Sequence, residues 1–434
     1  MGGVAIGTGV RAYLRLLRYG PAAGPFFAAL VARLPMSMAP LGILLLVQTE
    51  RGAYSIAGFV TGAFAVGSAA GTPLWGRLMD RYGQIRVLLP TSLSSAALLV
   101  ALALTTVWGG HTALLVALSA LAGVSYPPMS PALRAAWRVI FADPESRRVA
   151  FALDATSVEL VFVGGPLLLS VLLAVSVPIV PLLVTAGLMA GGGVAYCRTD
   201  AARRSRSLRG PRDRRDQSSA TTVAGGRRTA ITASGVAALL LVMLALSVGF
   251  GQLDTSMAAT AGVLLGGTDH VGLLFAAIAG GSTVGGLVFG ARSWPFDERQ
   301  AVPALLSVFA VLLALMAVLM TVPHASLWLV FPLLFVTGCT IAPTLIMQQS
   351  LLDHLAPSSR LNEAQAFLSA SNTTGAAAGT ALAGLMIDFH GLDWSFGGAA
   401  LAAALAAVVA TASQSHWRAA AEAVDRVSEH PARG

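Results

Sequence analysis

Charge is missing from this chain over long intervals. No Asp, Glu, Lys or Arg occurs between Arg86 and Arg134, between Glu159 and Arg198, or between Arg299 and Asp353. A soluble fold would have to bury each of these stretches. A bilayer instead serves as their solvent, and a helix crosses its hydrocarbon core with about 20 apolar residues. Each interval is long enough for two crossings and carries a turn signal near its middle: Gly109-Gly110-His111, Val177-Pro178 with Pro181, and Pro323-His324-Ala325-Ser326. Hydrophobic residues make up 56% of the 434 positions and charged residues 11%, where a soluble domain carries about 25% charged. Mean hydropathy is +0.74. These features exclude a soluble enzyme, a disordered regulator and a secreted disulfide scaffold.

Twelve spans fit the pattern, at roughly 22–48, 55–75, 87–108, 112–133, 152–175, 178–197, 232–255, 270–291, 300–322, 327–349, 363–387 and 393–413. Backbone groups in lipid must be satisfied within the spanning structure, and no alternating ten-residue pattern suggests a barrel, so every span reads as a helix. The expected class is an all-α membrane protein of twelve transmembrane helices. All 28 basic residues are arginine. With the N-terminus placed in the cytoplasm, 26 of the 28 fall on that side, leaving Arg51 in an outside loop and Arg33 within the first span. That is the bias of the positive-inside rule, and both termini are expected in the cytoplasm of a cell-membrane protein. The apolar stretch after Arg11, Arg15 and Arg18 is too long for a signal peptide and reads as the first span. Cys197 and Cys339 match no metal spacing and are not expected to pair.

The polar, arginine-rich segment 198–230 is the one clear linker. It separates an N-terminal half, 1–197, from a C-terminal half, 231–413, with a cytoplasmic tail over 414–434. The halves repeat each other. At an offset of 214, Gly58, Gly67, Ser68, Gly71 and Gly76 meet Gly272, Gly281, Ser282, Gly285 and Gly290. At 215, Gly123 and Pro128 meet Gly338 and Pro343; at 214, Ser157 and Gly165 meet Ser371 and Gly379. Internal repeats of this kind build secondary transporters, with the substrate held near the midplane.

Between the second and third spans the chain reads Gly76-Arg77-Leu78-Met79-Asp80-Arg81-Tyr82-Gly83-Gln84-Ile85-Arg86. This resembles the signature loop of the major facilitator superfamily, G-x-L-x-D-R-x-G-x-x-R. With twelve spans, a six-plus-six repeat and a basic central loop, the resemblance covers essentially the whole chain. It implies a major facilitator fold, transport by alternating access, and a cytoplasmic latch formed by Gly76, Asp80, Arg81 and Gly83, with Arg86 closing the motif. The counterpart in the second half, Gly290-Ala291-Arg292-Ser293-Trp294, lacks the acid. Resemblance to the efflux branches, including actinobacterial efflux-type permeases, is looser. Gly164-Gly165-Pro166 stands on the fifth span without the flanking glycines of the drug–proton antiporters, and no basic residue stands early in the fourth span.

Charges inside spans carry the remaining chemical information, because a charge at a helix centre costs about 2.5–3.5 kcal/mol on insertion scales and is retained where it faces a cavity or a partner. Arg33 lies near mid-depth in the first span, Glu159 in the cytoplasmic half of the fifth and Asp254 in the outer part of the seventh. Arg33 reads as a substrate or counter-ion site, Glu159 as a proton carrier and Asp254 as a second acid. For each, a structural ion pair is the alternative. Arg134 and Asp154 lie near the inner surface, where solvation at the rim is expected. Tyr126-Pro127-Pro128 in the fourth span, Pro166 in the fifth and Pro343 in the tenth are positions of kinking or close packing, with Gly165 beside them. No H-E-x-x-H, G-x-S-x-G or P-loop motif occurs, so neither an enzyme of those classes nor an ATP-driven pump is expected. The reading is therefore a secondary transporter exporting a small organic molecule in exchange for protons, without cofactor or metal. It would act as a monomer among membrane lipids and bind no nucleic acid. Uptake is the alternative direction, and a membrane-embedded enzyme or receptor-like module the alternative class. The topology is directly testable: reporters fused after Arg86, Arg148, Arg215 and Arg299 should report the cytoplasm, and those after His111, Val177 and His324 the outside. One reversal would break the twelve-helix count.

Overall fold

The computed structural model describes residues 15–141, 143–204, 235–290, 298–322, 326–356 and 361–418. Among them there are helices and no strand. The first span is two helices in line, α1 (Gly20–Arg33) and α2 (Pro35–Arg51), followed by α3 (Tyr54–Tyr82) and α4 (Gln84–Val107). The fourth is again two, α5 (Thr112–Val124) and α6 (Met129–Ile140), and α7 (Pro144–Val175) and α8 (Val180–Cys197) complete the first half. The second half contains α10 (Val236–Leu264), α11 (Val271–Gly290), α12 (Glu298–Thr321), α13 (Leu327–Leu355), α14 (Leu361–Phe389) and α15 (Leu392–Ala412). Eleven of these spans are apolar enough by themselves to cross a membrane. The other, α14, has the length but carries Ser369, Ser371, Asn372, Thr373 and Thr374 in succession. The fold is the all-α, twelve-helix architecture expected from the charge-free intervals.

At the start of the linker, residues 200–204 form a short helix, α9 (Asp200–Arg204), with Ala201 and Ala202 buried. Residues 205–230 lie outside the described residues. The signature loop is tighter than its sequence implied. Helix α3 continues to Tyr82 and α4 begins at Gln84, so the turn is Gly83 alone. Its φ of 89° is a left-handed conformation that a side chain would strain. A side chain at Gly76, by contrast, would meet nothing within 4 Å.

The sequence repeat is a repeat of contacts. A Cβ on Gly67 or Gly71 of α3 would overlap the carbonyls of Ala120 and Val124 on α5. A Cβ on Gly281 or Gly285 of α11 would overlap those of Phe335 and Cys339 on α13. Both sets of partners keep the sequence offsets of 214 and 215. Likewise Gly165 of α7 lies against Ser37 and Met38 of α2, and Gly379 of α14 against Val248 of α10. In lipid there is little hydrophobic force between helices, so cohesion comes from close approach at small residues, and these glycines supply it.

The chain forms two compact units, one of residues 1–46 and 66–225, the other of 47–65 and 226–434. The segment 47–65 thus groups with the second unit rather than with the first half expected from sequence. The reason is local. The carboxylate of Asp388, near the end of α14, accepts the N–H groups of Tyr54 (2.9 Å) and Ser55 (2.6 Å) that the first turn of α3 leaves unpaired. Gly58 and Gly62 then lie against the carbonyls of Thr380 and Ala377. In the first unit, Phe26, Trp137 and Phe141 form a buried aromatic cluster, with centroids 6.4 Å and 6.0 Å apart. Gly71→Val and Gly285→Val should each lower the melting temperature of the purified protein, by overpacking that costs about 1–3 kcal/mol. Gly76→Ala should leave it unchanged or raised. Equal melting temperatures for all three would remove the glycine contacts as a source of cohesion.

Candidate functional site

Two spans of the first unit are interrupted at proline, the first by a kink at Leu34-Pro35 and the fourth by a break over 125–128. Pro35 has no N–H to give the Val31 carbonyl one turn earlier. Leu34 N–H turns back instead to both Leu30 and Val31, at 3.3 Å each. Leu34 keeps a helical backbone (φ −48°, ψ −41°), so α1 and α2 run on as one span that proline kinks rather than breaks. In the fourth span, Pro127 and Pro128 cannot serve the carbonyls of Gly123 and Val124. Tyr126 N–H takes Gly123 O at 2.9 Å, the Trp75 indole N–H takes Val124 O, and the Ser95 hydroxyl takes Ala122 O at 2.8 Å. The carbonyls of Ala122, Gly123 and Val124 thereby regain donors, as membrane burial favours.

Arg33, beside the kink of the first span, is 2% exposed. Its Nη1 donates to Asp154 Oδ1 of α7 at 2.6 Å, and Asp154 is 1% exposed. The other oxygen of Asp154 receives Nε of Arg134, from α6, at 3.3 Å; the Arg134 side chain is 60% exposed. Ser157 closes the arrangement, its hydroxyl donating to the Asp154 carbonyl at 2.6 Å and lying 3.4 Å from Arg33 Nη1. Ser37, in the first turn of α2, donates to Val161 O of α7 at 2.8 Å and fixes the kink against the fifth span. Tyr126, in the break of the fourth span, lies within electrostatic reach of Arg33, and Tyr196 of both Arg33 and Asp154. The Tyr196 hydroxyl donates to Gln84 Oε1 at 3.2 Å. Nε and Nη2 of Arg33 are buried without a partner.

The cluster corrects one expectation. Asp154 is not solvated at a rim but is the buried counter-ion of Arg33, one turn before Ser157. Sequence reasoning missed it because Asp154 stands only six residues from Arg148 and looked peripheral. The signal was its spacing: Asp154, Ser157 and Val161 follow one another at three and four residues, one stripe of a helix. Arg33 and Arg134, both singled out from sequence, are brought together. The side chains of Asp80 and Glu159 lie outside the described residues, as do 291–294 and the residues preceding α14. Arg81 stacks over Tyr82 at 5.3 Å, and Arg86 borders a cleft with Trp75, Tyr82 and Pro90. Pro127 and Pro128 form the break of the fourth span, whereas Pro166 and Pro343 sit inside continuous helices. Asp254 belongs to α10 of the second unit and is exposed there, while its neighbour Gln252 is buried. Asn372 accepts a hydrogen bond from Ser247 at 2.7 Å. Among the described residues no three His, Cys, Asp or Glu side chains converge to hold a metal.

The sequence profile of the Major Facilitator Superfamily matches residues 25–291 and 239–424, together nearly the whole chain. The chain belongs to that superfamily. It is accordingly a multi-pass membrane transporter rather than an enzyme. Solved structures agree in fold. A bacterial homologue of the iron transporter ferroportin aligns at a TM-score of 0.68 and 16% identity, over 93% of this chain and 99% of its own. The peptide transporter POT aligns at 0.65 and 14%, over 90% and 93%. The human organic anion transporter MFSD10 aligns at 0.59 and 17%, over 89% and 98%. No curated protein matches the chain in sequence. At such identities the likeness carries the superfamily fold and nothing of cargo.

Removing one member of a buried ion pair costs about 3–5 kcal/mol because it strands the other charge. Asp154→Asn strands Arg33, whereas Arg33→Gln leaves Asp154 with Arg134. Thermal melting should therefore rank Asp154→Asn as the more damaging. The double variant should be less damaged than the two single losses combined, by a coupling of about 0.5–3 kcal/mol. Strict additivity would mean that Arg33 and Asp154 do not interact.

Proposed function

We propose that this chain is a proton-coupled transporter of a small organic molecule in the cell membrane, and that Asp154 carries the proton. The observation behind this reading is one carboxylate held between two guanidiniums, one at the kink of the first span and one on α6, just past the break of the fourth. Transporters use helix breaks of this kind for substrate and coupling-ion sites. An acid that gains or loses its arginine partners as the protein changes state changes its affinity for a proton. Glu159, the acid favoured by sequence, lies five residues further along α7 and is the alternative carrier. The cytoplasmic latch of Gly76, Asp80, Arg81 and Gly83 belongs to the same proposal, as the element that closes the inner side.

Charge balance bears on direction. The described cluster holds two positive groups and one negative. Protonating Asp154 makes it more positive and so favours a cargo bearing negative charge, and linkage requires the reverse as well: that cargo favours the proton. Proton and cargo then load together, which supports uptake by co-transport over the export expected from sequence alone. In proteoliposomes, a compound found by thermal stabilisation should enter faster when the outside is acid. Asp154→Asn should lose that acceleration while retaining exchange of labelled for unlabelled cargo, which also reports that the variant is folded. Acceleration by an acid interior would restore export. Loss of pH-driven flux in Glu159→Gln, but not in Asp154→Asn, would move the proton to Glu159.

A further inference from the structure

The partnerless edge of Arg33 defines what the cargo carries. A guanidinium is a planar group of five N–H donors, and Asp154 and Ser157 occupy Nη1 alone. Nε and Nη2 share the opposite edge, their N–H bonds roughly parallel, which is the pair of donors that a carboxylate accepts with both oxygens. Both nitrogens are buried and unpartnered, on a side chain 2% exposed. Buried donors left without an acceptor are destabilising, so this edge is arranged for a group that the described residues do not supply.

We propose that Arg33, through Nε and Nη2, binds the carboxylate of an organic acid as the transported substrate. The proposal rests on the proton-coupled reading above and adds the cargo's class. Geometry selects an acceptor with two oxygens in one plane. Charge selects an anion: Arg33, Arg134 and Asp154 sum to one net positive with Asp154 ionised and to two with it protonated. Asp154 holds the guanidinium by Nη1, turning the other edge away from itself, and Tyr126 of the fourth span lies within electrostatic reach of Arg33.

The test uses the purified full chain with matched pairs of probes: acetate, butyrate and benzoate against acetamide, butyramide and benzamide, with methyl phosphate as the second anion. At least one carboxylate should raise the melting temperature in a saturable manner, while its amide, of nearly the same size, should not. Arg33→Gln should weaken apparent affinity at least tenfold. Arg33→Lys keeps the charge but not the fork; it should show the same loss while melting close to the wild type, so the result does not depend on a variant that fails to fold. Equal effects of acid and amide, stronger binding of methyl phosphate, undiminished binding in both variants, or no stabilisation by any carboxylate would each overturn the proposal. Failures of the two readings are separable. Carboxylate binding through Arg33 without pH-driven flux overturns proton coupling and leaves the site. Flux of a cargo without a carboxylate overturns the site and leaves the coupling.

Discussion

A full positive charge on Arg33, buried in the first unit of a membrane protein, is the constraint around which that unit is arranged. It cannot be shed, since a guanidinium stays protonated under all relevant conditions, and it cannot reach the surface from where it stands. The chain answers it with one carboxylate, Asp154, at 2.6 Å. Asp154 in turn needs α7 to lie directly against the first span. Gly165, which has no side chain to push Ser37 away, and the Ser37–Val161 hydrogen bond hold it there. Breaking the fourth span carries its own cost in unpaired carbonyls, which Tyr126 N–H, Trp75 and Ser95 meet at Gly123, Val124 and Ala122. Pair, kink and break form one construction.

The second unit repeats the packing but not this construction. Its glycine contacts fall at the same offsets as those of the first. Yet α10 and α13, the counterparts of the first and fourth spans, run unbroken over 29 residues each. Pro343 repeats Pro128 in sequence without breaking its helix, because it stands alone where the first half has two prolines in succession. The described polar contacts of α10 are neutral, Ser247 with Asn372 and Ser256 with Ser395. Duplication preserved the glycine interfaces, which hold any such bundle together. The charge, with its kink and break, stands on one side of the repeat.

Much of this was legible in sequence. Charge-free intervals marked the spans, the glycine register the repeat, and the motif from Gly76 to Arg86 the superfamily. Arg33 stood out because a charge at mid-depth is retained only where it meets a partner or a cavity. The exceptions are instructive. Leu34-Pro35 was not singled out in sequence, and the structure places a kink there, one residue after the buried charge. Asp154 was misplaced because depth was judged from distance along the chain to the next arginine, and α7 begins eight residues earlier, at Pro144, than hydropathy alone implied. The docking of 47–65 on the second unit rests on Asp388 and on glycine contacts more than 300 residues apart in sequence, and periodicity cannot pair such distant positions.

The claim at the centre of this account is that Arg33 and Asp154 act as one coupled unit, so that loading the site with cargo changes the proton on Asp154. Calorimetry reads this directly. A compound carried in vesicles is titrated into the purified protein in two buffers of different ionisation enthalpy, and the difference in heat gives the protons exchanged on binding. The account predicts net proton uptake on binding to the wild type and none on binding to Asp154→Asn. Binding without proton exchange in the wild type, or the same uptake in both proteins, would contradict it.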